Sequence, residues 1–178
     1  MVKAPLRVET ARLILSPPTA HDVQAIFERY ASDPDVTRFM AWPRHESLSS
    51  TEAFVAFSAQ EWERAPAGPY LIWSRADGSL LGGSGLEVKS ESEAVTGYVL
   101  AKDAWGKGYA TEALGAVIDV ASSLALKQLT ACCHLENQAS QRVLEKCGFL
   151  REARDCQATF PNLASAPQGV AWYVLGLR

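Results

Sequence analysis

A chain of 178 residues can bury a sizeable core in one domain, and 48% hydrophobic with 21% charged residues is ordinary globular composition, neither disordered nor fibrous. A net charge of -3 and a pI near 5.6 argue against sequence-independent nucleic-acid binding. No apolar run approaches the roughly 18–20 residues of a membrane helix, and Met1-Val2-Lys3-Ala4-Pro5-Leu6-Arg7 lacks a secretion-signal core, so a cytoplasmic protein without a membrane partner is expected.

Leu6 to Leu15 reads as a strand, with Leu13 and Leu15 on one face and Ile14 on the other, stopped by Pro17-Pro18. Thr19 followed by Asp22 is a capping box, and Val23, Ile26, Phe27 and Tyr30 share one face of the helix it opens. Asp33-Pro34 ends that helix, and Arg38 to Pro43 is an aromatic loop without a regular period. Ser49 with Glu52 is a second capping box, predicting a helix to about Arg64 that Pro66 and Gly68 terminate. Tyr70–Ser74 and Leu80–Val88 flank Asp77-Gly78, a hairpin signal. Gly82, Gly83 and Gly85 permit a bulge or a close backbone approach in the second of these strands.

Val95 to Ala101 is the next predicted strand, followed by a glycine-containing turn and a helix to about Leu126, whose apolar face carries Ala110, Ala113, Leu114, Val117, Ile118 and Ala121. Leu129–His134 reads as a short buried strand, and Asn137 caps a helix through Lys146 that Gly148 stops. Phe149–Ala158 and Val170–Leu177 are the last predicted strands, joined by a loop containing Pro and Ser. The order is mixed α/β without βαβ alternation, which disfavours a doubly wound fold, and a single domain over residues 1–178 is expected. Cys132, Cys133, Cys147 and Cys156 form no Cys-x-x-Cys pair. They read as reduced, mostly buried thiols, and no metal site is expected.

The densest chemical signal is Trp105-Gly106-Lys107-Gly108-Tyr109-Ala110-Thr111-Glu112-Ala113, a turn leading from a strand into the first turn of a helix. The first N–H groups of such a helix lack backbone partners, its dipole is positive there, and two glycines keep side chains out of the way. That is a seat for a phosphate or pyrophosphate. Lys107 is followed by Gly108 rather than Ser/Thr, and Thr111 stands where a dinucleotide fingerprint needs a third small residue, so neither of those motifs fits.

The stretch resembles motif A of the GNAT N-acetyltransferases, Gln/Arg-x-x-Gly-x-Gly/Ala, with Gly108 and Ala110 at the last two fixed positions and Trp105 at the Gln/Arg position. The longer string is similar to the RimJ/RimL branch, as is Thr10-Ala11-Arg12-Leu13 near the start. A second string, Asn137-Gln138-Ala139-Ser140 through Glu145-Lys146-Cys147-Gly148-Phe149, resembles the family's Asn-x-x-Ser…Glu-Lys-x-Gly-Phe helix. The resemblance implies a mostly antiparallel mixed sheet, splayed between two parallel strands, with helices on both faces. It implies acetyl transfer from acetyl-CoA to a primary amine, either a protein N-terminal α-amine, including those of ribosomal proteins, or a small-molecule amine.

On that resemblance the coenzyme's diphosphate sits on the amides of Gly106, Lys107, Gly108, Tyr109, Ala110 and Thr111, and Trp105, at the motif's first position, counts among the cofactor-binding residues. The coenzyme's pantetheine pairs with the strand edges at Val99 to Ala101 and Ala131 to His134, and Asn137 orients the pantetheine or the substrate amide. The family's Tyr acid is replaced by Leu144, which leaves Ser140 to hydrogen-bond the departing thiolate. Glu87 is the first candidate general base and His134 the second. Phe39, Trp42, Tyr70, Trp73 and Tyr98 are candidates for the acceptor pocket, each equally suited to a core. A homodimer stays open, and a non-catalytic acyl-CoA-binding module is the rival reading that the missing Tyr favours.

Overall fold

The computed structural model describes residues 2–154, 158–163 and 169–177. Its strands are β1 (Val8–Glu9), β2 (Leu13–Ser16), β3 (Pro69–Ser74), β4 (Leu80–Val88), β5 (Glu93–Leu100), β6 (Gln128–His134), β7 (Leu150–Glu152) and β8 (Val170–Gly176). They make one sheet in the order β1-β2-β3-β4-β5-β6-β8-β7, antiparallel except where β5 lies beside β6. The helices are α1 (Val23–Ile26), α2 (Pro34–Thr37), α3 (Leu48–Arg64), α4 (Tyr109–Ser123) and α5 (Gln138–Lys146).

Strand alternation puts helices on both faces. In β3, Tyr70 and Ile72 join a core with Leu114 and Val117 of α4 and Leu144 of α5, whereas Leu71 between them joins Ile26, Val36 and Val55 of α1, α2 and α3. Leu81 and Leu80 divide in the same way. This is the fold that the resemblance implies.

Five local expectations need correction. Leu6–Leu15 is not one strand: the side chain and backbone of Thr10 bond to Leu13 across a tight turn, folding β1 back on β2. The helix opened by Thr19 and Asp22 is a 3-10 turn (Ala20–Asp22), then α1, then a π-helical turn (Phe27–Ala31), in which Ser32 N–H donates to Phe27 O at 3.1 Å. Asp33 does more than end it, because its carboxylate accepts from Asp35 and Val36 N–H and so caps the unexpected α2. Helix α3 starts at Leu48, ahead of the Ser49–Glu52 box, with Ser47 as its cap residue. The strand expected over Phe149–Ala158 is only β7, and Cys156 lies outside the described residues.

The bulge foreseen in β4 is at Leu81, where the register with β3 shifts between Ile72 and Trp73. At Gly82, beside it, β4 and β5 lie so close that a Cβ would come within 2.0 Å of Val99 O.

The site is positioned by one departure from regular pairing. β5 and β6 pair only at Glu93–Gln128, Ala94–Leu129 and Val95–Thr130. Beyond them each strand keeps its outer neighbour, β5 with β4 as far as Leu100 and β6 with β8 as far as His134. Thr96–Leu100 and Ala131–His134 are therefore the two unpaired inner edges of a fork.

Candidate functional site

At the mouth of the fork the chain leaves β5 through a 3-10 turn (Lys102–Ala104) and enters α4 through the glycine turn. Gly106 (φ 72°) and Gly108 (φ 79°) are both left-handed, a conformation costly for any residue with a Cβ, and Gly108 is the N-cap of α4. The first helical bond runs from Glu112 N–H to Gly108 O. Among the described residues, no hydrogen bond engages the amides of Gly106 to Thr111, so they face outward with the helix dipole behind them. This part of the chain fits a diphosphate, with Lys107 exposed beside it.

Trp105 ties the turn to the strand before it. Its indole N–H donates to Leu100 O at 2.9 Å, closing the end of β5 onto the turn. Arg29, from the π-helical turn, grips the Asp103 carboxylate with two bonds of 2.8 and 3.0 Å while its Nε–H donates to Leu80 O. Lys102 pairs with Asp35.

The other support of the turn comes from the start of the chain. Arg12 donates from Nη1 to Lys107 O at 2.9 Å, pairs with Glu112 at 2.6 Å and lies over the Tyr109 ring. Glu112 also accepts from Thr10 Oγ1 and Arg12 N–H. Burial pushes the Glu112 carboxyl up, but these hydrogen bonds and the Arg12 charge outweigh it and hold the group below the usual carboxylate range. Arg12 and Glu112 were missed as site residues. The Thr10–Leu13 resemblance was the available signal, but nothing in the sequence placed it against residues a hundred positions away.

Inside the fork, Tyr98 Oη lies 2.9 Å from both the carbonyl oxygen and Oγ of Ser140, so a phenol from β5 bridges to the first turn of α5. Ser140 is fixed from the other side by Asn137, whose Oδ1 accepts its N–H at 3.1 Å. Asn137 thus acts as the expected helix cap. Burial raises the Tyr98 phenol well above its ordinary pKa, a shift that hydrogen bonding to Ser140 only partly offsets, and the ring stays protonated. Burial likewise pushes the Cys133 thiol to about 11, again partly offset by Ser140, so Cys133 is no ready thiolate. A phenol is present after all, reaching the serine from a strand rather than from the Leu144 position.

The remaining candidates divide. Val99 and Ala101 lie at the end of β5 but turn their backbone groups to β4, where Ala101 N–H donates to Leu81 O at 2.8 Å, and so do not offer the pairing edge expected of them. Phe39 reaches the end of β6 and stacks on His134 with ring centres 5.2 Å apart. Trp42 sits in the adjoining loop against His45. Tyr70 and Trp73 are on β3, separated from the fork by β4 and β5. Tyr70 is core, its phenol bonded to Pro5 O at 2.6 Å, and Trp73 is held by Ser16.

Glu87 does not reach the fork. It is opposite Val95, at the closed end where β5 and β6 still pair, and is exposed and bonded to Lys89. The sequence placed it on a glycine-rich strand but could not give its distance from the opening. His134 is in the right place but unsuited to be a base: its Nδ1 accepts Glu136 N–H at 3.1 Å, so the proton of the neutral ring is on Nε2.

The model of the acetyltransferase (GNAT) domain family matches residues 12–150. The chain is similar to the uncharacterized N-acetyltransferase YoaA of Bacillus subtilis, 30% identical over 158 residues that cover 87% of this chain and 89% of that protein. Its fold matches a Salmonella typhimurium acetyltransferase described as modifying the N-terminal serine of ribosomal protein L7/L12 (TM-score 0.83, 20% identity, 98% and 99% of the two chains). It also matches a Vibrio cholerae spermidine N-acetyltransferase solved with CoA and spermine (TM-score 0.79, 17% identity, 94% and 96%). With its family model spanning both the glycine turn and the Ser140 helix, the chain belongs to the GNAT family and is an N-acetyltransferase.

Proposed function

We propose that this enzyme acetylates the α-amine of a peptide or protein N-terminus, by direct attack on acetyl-CoA in a ternary complex. The observation that carries the reading is the fork: β5 and β6 part beyond Val95 and Thr130, and the opening ends at a turn of free amides. Acetyl-CoA fits with its diphosphate on the amides of Gly106 to Thr111. Its peptide-like pantetheine then lies as an added strand would along the β5 edge beyond Val95, where Tyr98 and Leu100, rather than Val99 and Ala101, turn their backbone groups toward the fork. The thioester thereby comes to the Tyr98–Ser140 pair. The amine nitrogen bonds to the carbonyl carbon, the C–S bond breaks, and the sulfur leaves as a thiolate. The nitrogen sheds its extra proton to water, Ser140 Oγ–H hydrogen-bonds the thiolate with the Tyr98 hydroxyl behind it, and the thiolate takes a proton back from solvent.

The chemistry around the fork favours an α-amine. Among the described residues, the side chains on and over the fork's edges (Phe39, Tyr98, Cys133, His134, Ser140) carry no carboxylate, and the nearby Glu136 is exposed and lies 3.9 Å from Arg38 rather than buried as a base would be. An α-amine has a pKa of about 7.7–8.0 and is roughly a quarter to two-fifths neutral at pH 7.5, whereas an amine near 10.4 is only about 0.1% neutral. The first needs no strong base and gains most of its rate from positioning. The L7/L12-modifying fold relative points the same way, and a polyamine, the substrate type of the other, is the second reading.

The test is thioester consumption with serine- and alanine-initiated peptide amides against spermidine and 1,4-diaminobutane, products being identified by mass spectrometry. Peptide amides are expected to win in kcat/KM, with an ascending pH limb that tracks the amine's own pKa. Faster turnover of the polyamines would defeat the assignment. Acetyl-CoA binding with no acceptor acetylated would favour the non-catalytic module.

A further inference from the structure

His134 carries a hydrogen-bond donor that nothing described in the protein uses. The residue is 2% exposed, and its Nε2 has no partner among the described residues. Because Glu136 N–H can only donate, Nδ1 must accept it, and the ring proton is fixed on Nε2. A buried donor left unmade is a standing cost to the fold.

The ring around that donor is rigidly held. Phe39 stacks on one face (interplanar angle 18°) and Phe160 packs edge-on at 5.1 Å (89°). The two loops bearing these phenylalanines are tied by Asn162, whose amide donates to Thr37 O and Trp42 O while its Oδ1 accepts Arg44 N–H. Alternation along β6 turns Cys133 toward the α4–α5 core that contains Leu144, and turns His134 to the opposite face. His134 thus stands on the unpaired part of β6, across the sheet from Ser140's helix.

From this we infer that His134 determines acceptor specificity: its Nε2–H receives a neutral oxygen of the amine substrate, the carbonyl of the residue that bears the α-amine. A neutral donor between two phenyl rings suits an uncharged carbonyl, and an aliphatic diamine has no oxygen to offer it. The inference deepens the α-amine reading and rests on it.

The experiment uses the full chain with 15N-labelled histidine, saturated with CoA and titrated with Ser-Ala-NH2 or 1,4-diaminobutane. The peptide amide is expected to move the His134 Nε2 signal while the diamine leaves it in place. With acetyl-CoA, His134→Phe is expected to lower kcat/KM for the peptide amide about 10–100-fold and leave the diamine within about twofold, as for a site that reads one polar group. His134→Gln, which keeps an N–H donor, should recover part of the loss. Unchanged calorimetric affinity for acetyl-CoA will show that the variants are folded. An unmoved signal at saturating peptide, or equal losses on both amines, overturns the inference. A shifted signal without any acetylation upholds it and instead sinks the proposed reaction.

Discussion

The glycine turn and the far end of the fork solve the same problem with opposite materials. At Gly106–Thr111 the groups offered to a ligand are backbone amides, bared by two left-handed glycines and aligned by a helix. Around His134 the walls are side chains from β6, the loop after α2 and the segment around Phe160, assembled through Asn162. A backbone site needs only a local conformation, so its chemistry is general and suits the coenzyme. A side-chain site can be altered one residue at a time, which suits the partner that varies.

The largest expected effect is at the turn. Gly108→Val puts a β-branched residue at φ 79°, where strain is about 1–2 kcal/mol, and adds side-chain atoms beside Arg12 over the free amides. Calorimetry should show acetyl-CoA affinity falling roughly 30-fold or more, since 2 kcal/mol corresponds to that factor. Retained affinity would break the distinction, because the amides would not be the seat. Next is Ser140→Ala, which should lower kcat about 10–100-fold at little cost in KM for acetyl-CoA, the range for a lost hydrogen bond to a charge. Tyr98→Phe, which removes a neutral bond behind the serine, should cost about 2–10-fold in kcat. An equal rise in KM would mean that both groups only hold the coenzyme.

A smaller effect tests how the turn is supported. Because the folded-state Glu112 carboxyl is held below its ordinary value, its contribution to stability is complete above the ordinary carboxylate range and is lost as pH falls through the lowered value. Thermal melts from pH 7 to pH 3 should therefore show a shallower acid decline for Glu112→Gln than for the parent chain. Parallel declines would assign the acid limb to other carboxylates.

The same contrast explains what was legible in the sequence. Glycine punctuation, capping residues and helical periodicity are local, so the turn, α4 and the Asn137 cap could all be read from the chain, whereas the splayed mixed sheet was implied only by the family resemblance. The Arg12–Glu112 clamp and the Tyr98–Ser140 pair join residues far apart in sequence, and only the folded register brings them together. The strand pattern gave β4 for Glu87 but not which end of the fork it occupies. It gave β6 for His134, but not the backbone N–H that fixes its tautomer.

The smallest expected effect concerns Glu87. At the closed end of the fork, opposite Val95 and paired with Lys89 in solvent, its carboxylate has no route to an amine seated near Ser140. Glu87→Ala removes only an exposed pair, a class of interaction contributing about 0–1 kcal/mol to stability. The kcat and pH profile should stay within about twofold of the parent, and the melting temperature should barely move. A Glu87→Ala variant that lost an ascending pH limb would require a water chain from the closed end to the reacting nitrogen. The absence of a protein base would then cease to favour the low-pKa α-amine, and a polyamine acceptor would become the better reading.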